Sequence, residues 1–162
     1  MQEELRGFNV VARPLHQDYF NEYLCMFSPT VQQALHLGDS QGEYAYITMQ
    51  CSKNRGEKSF FYCIFEVVHN HLIGAIEIRN TYERGQLYSW LHESYWGMGF
   101  YQEALRVVAN AYFAHSGLHY FTVHIDLTNQ RSYRALKKYG AADNGFVQGP
   151  YGKQYQLIIR KK

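Results

Sequence analysis

The chain has 162 residues, 46% of them hydrophobic and 19% charged, which excludes disordered, collagen-like and coiled-coil proteins and fits a single domain over residues 1–162. Lys+Arg 16 against Asp+Glu 14 leaves a net charge of +2, too weak a field to make nucleic acid the expected partner. No run reaches the roughly 20 apolar residues of a membrane helix. The opening MQEELRGFNVVARP has no signal-peptide pattern, and three cysteines without short spacing suggest neither a zinc knuckle nor a disulfide framework. A reduced, cytoplasmic protein without membrane or metal is expected. Aromatic content stands out at 17%, with 15 Tyr and 10 Phe.

In chain order, Asn9–Ala12 reads as a strand closed by Arg13-Pro14, and Tyr19–Phe27 as a helix opened by Asp18. Ser28-Pro29 restarts helix, with Ser as cap and Pro in the first turn, and Gly38 ends it. Ser40-Gln41-Gly42-Glu43 has capping-box spacing and predicts a helix over Gln41–Ser52, although its Tyr, Ile and Thr also suit a strand. Ser59–Val68 is an apolar run suited to a central strand, Asn70 sits in a turn, and Leu72–Arg79 is the next strand. Tyr82–Gly85 turns the chain into a third strand of the meander, Gln86–His92.

The period then changes. Leu105, Val108, Ala111 and Tyr112 recur at helical spacing from Gln102 to just before Gly117. Tyr120–Ile125 is a strand, and Asn129 caps a second helix that presents Ser132, Ala135, Leu136 and Tyr139 inward and stops at Gly140. Gln154–Ile159 is the last strand. Strands followed by strand–helix–strand–helix–strand give an α/β fold of mixed sheet and flanking helices.

The segment richest in chemistry is Leu91-His-Glu-Ser-Tyr-Trp-Gly-Met-Gly-Phe-Tyr101, where a strand passes through Gly97 and Gly99 into a helix. Free N–H groups at a helix start, with the helix dipole behind them, attract anions. Glycine lets the backbone approach a phosphate closely. Spacing alone equally allows a plain tight turn. It lacks the GxxxxGK[ST] pattern and the third Gly of a dinucleotide fingerprint, where Gln102 stands.

In context, these residues resemble the GNAT acyltransferase superfamily, most closely its RimJ/RimL-like branch, over nearly the whole chain. Arg13-Pro14-Leu15 with Asp18 is similar to that branch's opening, and Leu72-Ile73-Gly74 to the family's fourth-strand region. Tyr95-Trp-Gly-Met-Gly-Phe100 followed by Glu103-Ala-Leu105 resembles its pyrophosphate loop, and Asn129, Ser132, Leu136, Lys138 and Gly140 its N-x-x-S-x-x-x-L-x-K-x-G segment. The resemblance implies a mostly antiparallel mixed sheet with helices on both faces, splayed between the fourth and fifth strands of the reading above. It implies acetyl-CoA as co-substrate, with the diphosphate on the N–H groups of Trp96, Gly97, Met98, Gly99, Phe100 and Tyr101. The pantetheine would then pair near Leu91 and bond Asn129. Two residues depart from the pattern: Trp96, where Gln or Arg is common outside this branch, and Tyr101, where a small residue is usual.

Amine acetylation needs a neutral amine and a proton for the leaving thiolate. By resemblance Ser132 is the candidate general acid and Glu77, on the strand facing the acceptor, the candidate base. Pleating puts Glu77 on one face with Ile73 and Ala75. A packing Ser and an edge carboxylate paired with Arg79 are the bland alternatives; Tyr133, His92 and Glu93 are second-line candidates. His69-Asn70-His71 and His115 with His119 lack nearby acids for a metal site. Arg131, Arg134, Lys137 and Lys138 form a solvated face or meet a phosphate.

The reading is an N-acetyltransferase acting on a primary amine, of a protein N-terminus or a small molecule; a homodimer is compatible with it. A non-catalytic acyl-CoA-binding or partner-binding module is the alternative. Phe60, Phe61, Tyr62, Phe65, Tyr112 and Phe113 fall where a core would absorb them. Tyr88, Trp90, Tyr95, Trp96, Phe100 and Tyr101 crowd around the loop and its strand.

Overall fold

The run FFYCIF alternates two faces of one strand, and both faces are buried. Ile64 and Tyr62 pack into one hydrophobic cluster; Phe61, Cys63 and Phe65 pack into another. A central strand with helices on both sides follows from that pattern. The computed structural model describes residues 3–35, 39–53, 59–81 and 84–162. Its strands are β1 (Leu5–Arg6), β2 (Val10–Pro14), β3 (Ser59–Glu66), β4 (Leu72–Thr81), β5 (Arg84–Leu91), β6 (Tyr120–Asp126), β7 (Ala142–Gly149) and β8 (Gly152–Arg160). The helices are α1 (Phe20–Met26), α2 (Pro29–Leu35), α3 (Ser40–Lys53), α4 (Phe100–Ser116) and α5 (Gln130–Tyr139).

The sheet order is β1-β2-β3-β4-β5-β6-β8-β7. Every neighbouring pair is antiparallel except β5–β6, which is parallel and meets only at Gly85↔Phe121 and Gln86↔Thr122. Beyond those residues the two strands part. This is the expected splay; with the short β1 counted, it falls between the fifth and sixth strands. Gly85 is required at its apex, because a Cβ there would strike the Tyr112 hydroxyl, which donates to Asn80 Oδ1 at 2.6 Å.

Helix α4 buries Leu105, Val108, Ala109, Tyr112 and Phe113 against one face, and α5 adds Leu136. Helices α1–α3 cover the other face over Phe61, Phe65, Ala75 and Trp90. The aromatics expected in the core are buried apart from Phe60, which is partly covered.

Several details differ from the sequence reading. Ile73 and Ala75 do not share a face: Ile64 pairs with Gly74 and Phe65 with Leu72, so Ile73 is an extra residue in a bulge and turns to the α4 side. Asp39, not Ser40, caps α3, its carboxylate accepting from the Gly42 N–H at 2.9 Å. That leaves Glu43 free of the capping box. Strand β7 was not anticipated, because ADNGFVQG has little strand propensity and carries a bulge at Asn144-Gly145, where Gly145 has φ of 79°. Arg84 and Gly85 already belong to β5; Gly38 and the turn at Tyr82–Glu83 lie outside the described residues.

Candidate acetyl-transfer site

The splay opens a cleft of about 1190 Å³. Its walls come from β4, β5 and β6, the loop entering α4, the start of α5, helix α3 and the β7–β8 turn.

Gly97 and Gly99 have φ of 75° and 84°, and a Cβ on either would meet nothing within 4 Å. Glycine is needed here for left-handed backbone rather than for internal packing, and the space over the loop stays open to a ligand. Gly99 precedes α4, whose first-turn N–H groups, from Phe100 onward, have no intrahelical acceptor. An anion would be received there. Arg131, Arg134 and Lys138 of α5 line the same end of the cleft.

Trp96 turns its indole back, and Nε1–H donates to the Leu91 carbonyl at 2.8 Å. The Arg131 guanidinium lies 3.0 Å from the centroid of the Trp96 ring, joining the loop to α5. Burial lowers the Arg131 pKa, opposed by the Glu93 charge. Tyr101 lines the cleft, half-buried on the first turn of α4, with its hydroxyl 2.8 Å from Ser89 Oγ on β5. Burial pushes its pKa up to about 12. Phe100 packs on Tyr95 rather than lining the cleft, while Met98 is exposed.

Asn129 caps α5, its Oδ1 accepting from the Ser132 N–H at 3.3 Å, while Nδ2 donates to Ala34 O at 3.4 Å. Ser132 lines the cleft on the first turn of α5. Tyr133 is turned outward and donates to Asp143 at 2.8 Å.

Glu77 occupies the opposite wall. It accepts from the Tyr46 hydroxyl at 2.8 and 2.7 Å, and Arg79 Nε lies 3.1 Å from its Oε2, an ion pair rather than an aligned hydrogen bond. The Arg79 guanidinium sits between the rings of Tyr46 and Tyr88, 4.7 and 3.7 Å from their centroids. Burial and the Glu77 charge raise the Tyr46 pKa well above the ordinary tyrosine range. Glu43 joins this wall from α3. Sequence spacing could not reveal the cluster: Tyr23, Glu43, Tyr46 and Glu77 come from three elements, and only the Glu43/Tyr46 spacing on a helix hinted at a shared face.

His92 and Glu93 do not line the cleft. His92 Nδ1 accepts from the Ser94 N–H at 3.1 Å, and Glu93 accepts from Ser28 Oγ at 2.6 Å. Burial tends to raise the Glu93 carboxyl, but the Ser28 hydroxyl and neighbouring donors hold it below the usual range. Among the described residues, no three His, Cys, Asp or Glu side chains converge as for a metal ion, and no helix is long and apolar enough to cross a membrane.

The family model described as "Acetyltransferase (GNAT) domain" matches residues 9–142. No curated protein matches the chain in sequence. Among solved structures, an acetyltransferase from Agrobacterium tumefaciens superposes with a TM-score of 0.84 at 17% identity, covering 99% of this chain and 96% of the other. The ribosomal-protein-S5-alanine acetyltransferase from Vibrio fischeri gives 0.81 at 13% identity over 98% and 97%. RimL, a ribosomal L7/L12 alpha-N-protein acetyltransferase in complex with coenzyme A, gives 0.82 at 13% identity over 98% of both chains. At these identities the superpositions speak for the fold, and the family match for membership. The chain belongs to the GNAT acetyltransferase family.

Proposed function

We propose that this acetyltransferase is an N-acetyltransferase of the RimJ/RimL-like branch, moving the acetyl group of acetyl-CoA directly to a primary amine held in the same cleft. The observation that carries this reading is the polarity of the cleft. One end has the open Gly97–Gly99 loop, the α4 N-terminus and Arg131, Arg134 and Lys138; the other has Glu43 and the Glu77–Arg79 ion pair among Tyr23, Tyr46 and Tyr88. The basic end suits the phosphates of coenzyme A, and the acidic, aromatic end suits an amine that arrives as an ammonium ion. The residues present fit the co-substrate: the loop leaves room for it, and the strands expose backbone where they part.

In this proposal, Gly97, Met98, Gly99, Phe100 and Tyr101 supply backbone N–H groups to the diphosphate. The Trp96 N–H is already given to the Glu93 carbonyl at 3.2 Å, and Trp96 holds the loop through its indole. The pantetheine runs past Leu91 and Asn129, whose side chain also caps α5. Acetyl-CoA supplies an activated thioester carbonyl. Ser132, at the start of α5, passes a proton toward the departing sulfur. Glu77 acts on the acceptor wall through Tyr46 and Arg79, which cover it. Holding both reactants in one cleft supplies much of the acceleration. The acceptor is a protein N-terminus or a small-molecule amine.

The test is thiol release from acetyl-CoA, measured with a panel of amines and N-terminal peptides. Release that requires an added amine is the expected result. Tight coenzyme A binding with no amine-dependent release would favour a binding module on this fold.

A further inference from the structure

We propose that Glu43 is the carboxylate that meets the acceptor amine and takes its proton, while Glu77 is a positioning residue behind it. The inference rests on the transferase reading above and assigns a role that the sequence did not give to Glu43.

Glu77 is poorly placed to meet a ligand. Its side chain is 4% exposed, both oxygens accept from the Tyr46 hydroxyl, and Arg79 lies across it. Glu43, one turn before Tyr46 on the same face of α3, also lines the cleft and is only half-buried. Its Oε1 accepts from the Tyr23 hydroxyl at 2.6 Å; among the described residues, no other group donates to it. Oε2 is therefore left for a ligand.

The carboxylate is also held in place. Trp90 Nε1–H donates to the Tyr23 oxygen at 3.2 Å, so the single Tyr23 proton is committed to Glu43. Tyr23 comes from α1 and Trp90 from β5, and both are buried. Asp39 has taken over the capping of α3, which frees Glu43 for this arrangement. The groups facing Glu43 are Tyr23 from α1, Tyr46 from α3 and Glu77 with Arg79 from β4. Burial is the largest influence and raises the Glu43 pKa, with the Glu77 charge added, against the Tyr23 hydrogen bond and the Arg79 charge. A proton affinity above that of an exposed glutamate suits a base working near neutral pH.

The step balances without any redox partner. An N–H bond of the ammonium breaks, its electron pair stays on nitrogen, and an O–H bond forms on Glu43. The neutral amine then forms the C–N bond as the C–S bond breaks. The second amine proton reaches sulfur by way of Ser132, and Glu43 returns its proton to solvent.

The experiment compares ethylamine, protonated at neutral pH, with 2,2,2-trifluoroethylamine, which is mostly neutral there, scoring thiol release by the full chain. Glu43→Gln should lower kcat/KM for ethylamine by about 100-fold or more, the range of general-base catalysis, and for trifluoroethylamine by less than about 5-fold. Its pH profile should lose the acid limb seen in the unaltered protein, and Glu43→Asp should recover part of the rate. Glu77→Gln should impair both amines alike, because it releases Arg79 from its ion pair. Carboxyl ¹³C NMR on the unaltered protein gives a readout independent of turnover and of variant folding: the Glu43 resonance should titrate above exposed glutamates and move when ethylamine is added. Equal losses with both amines, or a Glu43 resonance indifferent to ethylamine, overturn the proposal alone. Absence of release by the unaltered protein with either probe and across the amine panel overturns the transferase reading, and this inference with it.

Discussion

The Tyr101 hydroxyl lies 2.8 Å from Ser89 Oγ and ties the first turn of α4 to the strand that borders the cleft. The bulky residue at the end of the glycine loop is thereby held against β5, as part of the cleft wall. Tyr101→Phe removes this bond and leaves Ser89 without its partner, at a cost of about 1 kcal/mol. The expected drop in thermal midpoint is about 2–4 °C for a chain of this size, with coenzyme A affinity by calorimetry unchanged. A Tyr101→Phe protein that loses coenzyme A binding while keeping its midpoint would mean that the hydroxyl itself contacts the ligand.

Gly97 and Gly99 make the complementary case. Alanine at either would meet no atom within 4 Å, but it would sit at φ of 75° or 84°. A left-handed alanine costs about 1–2 kcal/mol. Each substitution should lower stability by about that amount and weaken coenzyme A by at least about tenfold, because the added methyl projects into the ligand's space. Calorimetry reads the affinity, and chemical denaturation reads the stability. Normal affinity in both variants would remove the loop from the binding site.

Much of this was legible in the sequence, for identifiable reasons. Gly97, Gly99, Asn129 and Gly140 mark backbone events that their residue types dictate locally: Gly97 is in the loop as read, and Gly99, Asn129 and Gly140 stand at helix boundaries. The face of α4 followed from period alone. What escaped depends on tertiary contacts. Strand β7 is an edge strand that pairs only with β8, so little in its own composition demanded it. Glu77 was already the candidate base, but Glu43 was passed over, because 34 positions separate the two and only tertiary packing brings them to one wall. The bulge at Ile73 shifts the pleat by one residue, which no period-2 reading anticipates.

Glu66 gives a stability test by pH, away from the cleft. It is 4% exposed at the β3–β4 hairpin and accepts from the His69 N–H at 2.8 and 3.0 Å and from the His71 N–H at 3.3 Å. Burial raises its pKa, but those backbone donors outweigh burial and hold the carboxyl below its ordinary value. A depressed folded pKa stabilises the fold above the unfolded value of about 4.3. That stabilisation is lost as pH falls through the folded pKa. Glu66→Gln should therefore be less stable than the unaltered protein at pH 7, and the gap should close below about pH 4. A gap that stays constant down to pH 2.5 would mean the charge on Glu66 contributes nothing.

Tyr46 and Glu77 offer the most direct measure of how the acceptor wall is held. Among the described residues the Tyr46 hydroxyl is the only aligned hydrogen-bond donor to Glu77, since Arg79 Nε is close but poorly directed. Tyr46→Phe strips a buried carboxylate of that donor, which should cost about 1–3 kcal/mol. Glu77→Gln keeps the shape and removes the charge, leaving a neutral amide that Tyr46 can still satisfy. In a double-mutant cycle the Tyr46→Phe cost should shrink in the Glu77→Gln background, giving a coupling of about 0.5–3 kcal/mol. Arg79 stacks on the Tyr46 ring, which phenylalanine retains, so the cycle isolates the hydroxyl. Strict additivity by urea denaturation would mean that the two side chains do not support each other, and the wall would have to be held by Arg79 and Tyr88 instead.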